Sequence, residues 1–325
     1  MDHQTLEKPK VLVTRRLPDV ILEEYKRAAD IELWDEETPI PYDTLLEKVR
    51  GKEGLVCLLT EKVDQRVIAA GTGLKVISQI AVGFDNIDVP EATARGIRVG
   101  NTPGVLTDAT ADLAFSLLMA AARRLGEGMD YVRQGKWKTW GLTLLMGQEV
   151  YGKTIGIIGM GRIGQAMAKR AHGFNMRILY SDHSRVRQVD EGLSAQFCSL
   201  DELLRESDYI SLHVNLTDET RGMIGAHEFD LMKPTAILIN TARGALVDQN
   251  ALYQALKGGK IAYAALDVTD PEPMSPDDRL LTLPNIIVVP HIGSATVNTR
   301  MTMCRMALQN LVAGLKGEKL PYPVN

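Results

Sequence analysis

Six residues, Gly159-Met160-Gly161-Arg162-Ile163-Gly164, read G-x-G-x-x-G. They follow an apolar run, Thr154–Ile158, and open a helical stretch, Arg162–His172. A second apolar run, Arg177–Ser181, ends at Asp182, 18 residues past Gly164. Strand, glycine turn, helix, strand and acid in that order form a dinucleotide-binding fingerprint. Gly159 permits the tight turn, Gly161 lets backbone approach a pyrophosphate, and Gly164 is expected to let helix and strand pack closely. The helix start at Arg162 and Ile163 offers unsatisfied N–H groups and a positive dipole end to phosphates. Asp182 would accept hydrogen bonds from a ribose and repel a 2′-phosphate, which favours NAD(H). His183, Ser184 and Arg185 follow at once and have the chemistry to hold that phosphate, so NADP(H) stays open.

Three further polar residues fall just after apolar runs. Arg243 follows Ala236–Asn240, Glu272 lies in Asp270-Pro271-Glu272-Pro273 after Tyr263–Asp267, and His291 follows Ile286–Pro290. Ligands of open α/β sheets bind beyond the carboxyl ends of the strands. Hydride addition to a ketone leaves an alkoxide that needs a proton, which an imidazolium at His291 would supply as general acid. Glu272 would hold the ring and balance its charge. Arg243 has the planar fork that grips a carboxylate and can polarise a neighbouring carbonyl. A 2-keto acid presents both groups side by side. The remaining histidines carry no comparable pattern: His3 lies in a tail, His172 ends a helix, His227 begins one, and His213 ends a strand near the dinucleotide. No H-x-x-x-H or H-E-x-x-H occurs, so no catalytic metal is expected.

These residues need a scaffold that brings strand ends together. In the first hundred residues, strands are expected at Lys10–Arg15, Ile31–Trp34, Gly54–Leu59, Leu74–Ala81 and Arg98–Gly100. Helical patterns separate them, which reads as βαβ units and a parallel sheet. A long apolar helix, Ala111 to about Gly126, is expected after N-cap chemistry at residues 107–110, buried between domains or subunits. A tryptophan-containing loop, Gly135–Gly152, precedes the glycine turn. A last helix is expected from about Ala295 to Leu315. The fold class is therefore α/β, with two parallel-sheet domains of Rossmann-like and flavodoxin-like type. Because about 150 residues precede the glycine turn, the dinucleotide-binding domain, 104–295, is inserted into a discontinuous substrate-binding domain, 1–103 plus 296–325.

Composition narrows the function classes. The chain has 325 residues, 45% of them hydrophobic and 24% charged, as in folded globular proteins. Its net charge of −4 supplies no basic excess for a row of phosphates, which argues against nucleic acid. Three scattered cysteines, Cys57, Cys198 and Cys304, give neither a disulfide framework nor a zinc spacing and point to a reducing compartment. The opening residues have no apolar core of a signal peptide, and the apolar stretch Leu113–Ala122 is too short to span a bilayer. A cytoplasmic location, away from membranes, is expected.

Several segments together resemble the D-isomer-specific 2-hydroxyacid dehydrogenases over essentially the whole length. These are residues 81–88 (Ala-Val-Gly-Phe-Asp-Asn-Ile-Asp), Gly159–Gly164, Asn240–Gly244, Asp267–Pro273 and Pro290–Thr296. Within that family the chain is most similar to glyoxylate/hydroxypyruvate reductases, through Cys57-Leu58-Leu59, Asp267-Val268-Thr269 and His291–Thr296. The resemblance implies Arg243, Glu272 and His291 as the catalytic set. It implies Leu59, Ser294 and the backbone N–H groups of Val82 and Gly83 around the substrate. It also implies Thr107, Thr241, Ala242, Asp267 and Gly293 around the cofactor, and Trp140 reaching a partner subunit's pocket in a homodimer. Asp182 stands where NADPH-preferring relatives carry Ser or Arg. Val297-Asn298 departs from the polar pair frequent in relatives. The expected activity is reduction of glyoxylate or hydroxypyruvate; D-lactate, phosphoglycerate or phosphite dehydrogenation are alternatives, as is a dinucleotide-sensing, corepressor-like binding protein.

Overall fold

The computed structural model describes residues 7–325, so His3 and the first six residues lie outside it. The chain divides into two compact units, one comprising the chain up to Leu106 together with Thr296–Asn325, the other Thr107–Ala295.

The first unit is built on five parallel strands: β1 (Lys10–Val13), β2 (Asp30–Leu33), β3 (Gly54–Cys57), β4 (Val76–Gln79) and β5 (Arg98–Gly100). Their order is β2-β1-β3-β4-β5, which reverses direction between β1 and β3. Strand residues alternate between two apolar layers, as the twofold period of a strand requires. Val11, Val13, Val56 and Val76 pack on one face with Ile21 and Tyr25 of helix Asp19–Ala28 and with Met303, Ala307 and Leu311 of helix Val297–Leu315. Leu12, Leu55, Cys57, Ile77 and Val99 pack on the other with Leu45, Val67, Ile68 and Ala92 from helices Tyr42–Lys48, Gln65–Ala70 and Val89–Ala94. The last helix begins at Val297 rather than Ala295, because the Thr296 hydroxyl caps it by accepting from the Thr299 N–H at 3.2 Å.

The second unit has seven parallel strands. They are β6 (Thr154–Ile158), β7 (Arg177–Ser181), β8 (Gln196–Phe197), β9 (Tyr209–Leu212), β10 (Ile237–Asn240), β11 (Tyr263–Leu266) and β12 (Ile286–Val288). The order β12-β11-β10-β9-β6-β7-β8 places the switch of direction at β6, directly before the glycine turn. The expected apolar helix is longer toward its N-terminus and shorter toward its C-terminus than the sequence indicates. It spans Thr107–Ala122, so the residues read as a cap lie inside it. The chain then turns at Arg124, whose φ is +51°, and a second helix runs Leu125–Arg133. Ala114, Phe115, Leu118 and Ala121 of the first of these helices pack into its own unit's core with Ile155, Ile157 and Met167. Among the described residues no helix is long and apolar enough to cross a membrane.

Candidate active site

The glycine turn is built as its spacing requires. Gly159 has φ +92°, and a Cβ there would lie 2.7 Å from the His213 carbonyl carbon. Gly161 is the N-cap of helix Arg162–Gly173, has no side-chain cap, and has nothing within 4 Å of its would-be Cβ. Backbone N–H groups at the turn and helix start are therefore open to a phosphate. Gly164 lets the helix close on the strand and its turn: its Cβ would stand 2.0 Å from the Gly159 carbonyl oxygen and 3.4 Å from Ile157 Cγ2 of β6. Arg162 is exposed and Ile163 half-buried.

Asp182, at the end of β7, ties this turn to its neighbour strand. One carboxylate oxygen accepts from Met160 N at 2.6 Å and the other from His183 N at 2.6 Å. His183 and Ser184 are exposed. Arg185 is drawn away by Asp190, which it meets in a short ion pair, and Asp190 also accepts from the Tyr180 hydroxyl at 2.8 Å. Burial pushes the His213 imidazole down to about 4. Its Nε2 lies 2.8 Å from the Ser211 hydroxyl.

The loops beyond β10, β11 and β12 carry the other three residues. Asn240, buried at the end of β10, shapes the first loop: its amide donates to the Arg243 carbonyl at 2.8 Å and accepts from Ala242 N at 3.0 Å. The Arg243 guanidinium donates to the Ala242 carbonyl at 2.8 Å. Gly244 allows this loop to press against the next, because a Cβ there would lie 2.0 Å from the Thr269 carbonyl carbon. Gln249 clasps that second loop by its amide, donating to the Asp270 carbonyl and accepting from Asp270 N at 3.2 Å. The Thr269 hydroxyl donates to the Pro271 carbonyl at 2.8 Å, and Glu272 follows. Its Oε1 meets His291 Nδ1 at 2.5 Å.

Asp267 organises the third loop. Its carboxylate accepts from Ile292 N at 2.6 Å and Gly293 N at 2.8 Å, while its carbonyl accepts from His291 N at 2.9 Å. Burial raises the Asp267 carboxyl, and the two N–H donors oppose that rise. With Nδ1 held by Glu272, the His291 Nε2 is the ring atom left for a ligand. The Thr241 hydroxyl is buried without a partner among the described residues, an orphaned polar atom beside the loop of Arg243. An open glycine cradle, an acid at the end of β7 and this orphaned hydroxyl fit a dinucleotide.

The remaining residues fall elsewhere. Thr107 opens its helix half-buried, and Ser294 is half-buried after Gly293. Leu59, Val82 and Gly83 belong to the first unit, beyond β3 and β4. Trp140 is 78% exposed in the segment after helix Leu125–Arg133. Sequence reasoning passed over the braces Asn240 and Gln249 as well as the contact made by Gly244. An Asn closing an apolar strand before T-A-R-G was the available signal for the first.

Residues 115–293 match the family described as D-isomer specific 2-hydroxyacid dehydrogenase, NAD binding domain. A glyoxylate reductase of Korarchaeum cryptofilum is 51% identical over 319 residues, covering 98% of this chain and 96% of that protein. The chain belongs to the D-isomer specific 2-hydroxyacid dehydrogenase family. It is an NAD(P)-dependent oxidoreductase of that family. Among solved structures, a protein of Thermus thermophilus is 46% identical with a TM-score of 0.91, covering 97% of this chain and 100% of that one. An NADPH-dependent glyoxylate/hydroxypyruvate reductase of Sinorhizobium meliloti, in complex with NADP and malonate, is 32% identical with a TM-score of 0.88, covering 98% and 97%.

Proposed function

We propose that this dehydrogenase reduces small 2-keto acids, glyoxylate and hydroxypyruvate first among them, to 2-hydroxy acids, with NADH preferred and NADPH a second cofactor. The observation that carries the mechanism is the 2.5 Å contact of His291 Nδ1 with Glu272, which leaves Nε2 as the ring atom for a ligand. A nicotinamide supplies the hydride. His291 gives the proton to the oxygen of the keto group and recovers it in oxidation, while Glu272 holds the ring and balances its charge. Arg243 grips the carboxylate and polarises the carbonyl. The backbone at Val82 and Gly83 completes the carboxylate site, and Leu59 and Ser294 line the substrate. The glycine turn with Arg162 and Ile163 holds the pyrophosphate, Asp182 the ribose, and Thr107, Thr241, Ala242, Asp267 and Gly293 the rest of the dinucleotide. Asp182, which would repel a 2′-phosphate, favours NADH. A homodimer in the cytoplasm, with Trp140 reaching the partner subunit, completes the reading.

The test is oxidation of NADH and NADPH against glyoxylate, hydroxypyruvate, pyruvate and phosphohydroxypyruvate. Glyoxylate or hydroxypyruvate should give the highest kcat/KM, and His291→Ala should lower kcat by about 10²–10⁴-fold, the usual contribution of a positioned general acid. Full activity in His291→Ala would falsify the mechanism, and turnover of none of these acids the function.

A further inference from the structure

Three consecutive peptides after β4 have their carbonyls held from within the first unit. The Ala81 carbonyl accepts from Thr102 N at 2.9 Å, the Val82 carbonyl from Asn101 Nδ2 at 2.7 Å, and the Gly83 carbonyl from Gln79 Nε2 at 3.1 Å. A trans peptide is planar and carries its N–H opposite its C=O. Fixing these carbonyls therefore turns the N–H groups of Val82, Gly83 and Phe84 to the other side of each plane. None of the three has an acceptor among the described residues. Backbone N–H groups fixed in place without an acceptor are ready donors to an anion.

The two side-chain donors are themselves fixed. Gln79 is fully buried at the end of β4, and its amide can sit only one way round. The Cys57 thiol donates to its Oε1 at 3.0 Å, so Nε2 is the atom that reaches Gly83 and, at 2.7 Å, Asn86 Oδ1. Asn86 passes the constraint on, donating to the carbonyls of Leu58 at 3.0 Å and Glu61 at 2.7 Å. Burial pushes the Cys57 thiol up, which keeps it a donor. Asn101 is buried too, and its own carbonyl accepts from Asn310 Nδ2 at 2.9 Å.

We infer that Gln79 and Asn101 are positioning residues for substrate: by holding the carbonyls of Gly83 and Val82 they aim the N–H groups of Gly83 and Phe84 at the substrate carboxylate. This rests on the proposed reading that the Val82–Gly83 backbone binds that carboxylate, and it adds Phe84 N–H to the cradle. The Cys57–Gln79–Asn86 relay also locks the Leu58–Glu61 loop to the same cradle, so Leu59 and the carboxylate site are set as one piece.

The experiment compares wild type, Gln79→Met and Asn101→Ala with glyoxylate and with its methyl ester, which lacks the charged carboxylate. Each variant should raise the KM for glyoxylate about tenfold, with kcat and the KM for NADH within about twofold to threefold and the ester reduced as by wild type. A loss of equal size for acid and ester, or an unchanged KM for glyoxylate in a folded variant, overturns the inference. Asn101→Ala carries the test if Gln79→Met does not fold. If wild type turns over no keto acid, the proposed function fails by itself. The inference is then read from amide resonances titrated with oxalate. Shifts at Gly83 and Phe84 in wild type that are lost in Asn101→Ala support it, and no shift in wild type overturns it.

Discussion

His291 occupies the left-handed region at φ +52°, which a residue with a Cβ adopts at a cost of about 1 kcal/mol or more. Its surroundings over-determine the conformation. Its N–H reaches the Asp267 carbonyl, the next two N–H groups reach the Asp267 carboxylate, and its ring meets Glu272. Strain held this way fixes where Nε2 points. A second histidine yields a prediction about stability. His213 is held neutral, its folded value pushed down to about 4 from the ordinary 6.5. Above pH 6.5 the ring is neutral folded or unfolded. Between 6.5 and 4 the unfolded chain takes a proton that the folded chain refuses, so stability falls as pH falls through that window. The loss should be on the order of 2 kcal/mol for a shift of this size in a partly accessible ring. Urea unfolding at pH 4.5 and 7.5 should show His213→Asn losing less stability on acidification than wild type by about that amount; equal losses would refute the assignment. Arg243, Glu272 and His291 were legible in the sequence because each is a chemically distinctive residue directly after an apolar run. Their supports were not. Asn240, Gln249 and Asp267 act through backbone groups that only folding brings near, and Gln79 and Asn101 read simply as polar residues at strand ends.

Helix Val297–Leu315 shows how an element at one end of a sequence completes a sheet formed at the other. It packs on β3, β4 and β5, and small residues permit the approach. A Cβ at Gly314 would lie 2.4 Å from Val76 Cβ, and one at Gly54 would lie 2.7 Å from Leu311 Cδ1. Two effects of Gly314→Ala oppose each other. Removing a helical glycine gains about 1 kcal/mol. Driving a methyl into the rigid branch point of Val76 costs about 1–3 kcal/mol, and a contact this short sits at the upper end. The clash wins, so Gly314→Ala should lower stability by about 2 kcal/mol in urea unfolding. Gly192→Ala, where nothing lies within 4 Å, should raise it by about 0.5–1 kcal/mol. The reverse order would show that the helix does not press on Val76. The strands of both sheets were legible as short β-branched runs except β8, Gln196–Phe197, whose two exposed residues carry no such pattern. The short helix Leu200–Glu206 was not, since two turns carry too little periodicity to stand out. The end of helix Thr107–Ala122 was misread because its apolar character continues past the turn at Arg124 into Leu125.

At the scale of the whole molecule, one surface remains unexplained by a single chain. On helix Leu125–Arg133, Leu125, Met129 and Val132 recur at helical spacing and are all about half exposed. The segment that follows exposes Trp137, Trp140, Leu142, Met146 and Tyr151. Scattered exposed apolar residues need no explanation, but a stripe continued by two tryptophans along one stretch does. Tryptophan is enriched in the cores of protein interfaces, and a stable one buries about 800 Å² per partner. The chain should therefore have twice its monomer mass in light scattering at micromolar concentration. Placing like charges in the stripe, as in Met129→Asp with Leu142→Asp, should give monomers, since an unpaired charge in an apolar interface costs several kcal/mol. The same variant should still bind NADH, because the glycine turn and Asp182 owe none of their hydrogen bonds to that segment. A wild-type protein that is monomeric at these concentrations would mean that the stripe is not a self-association surface.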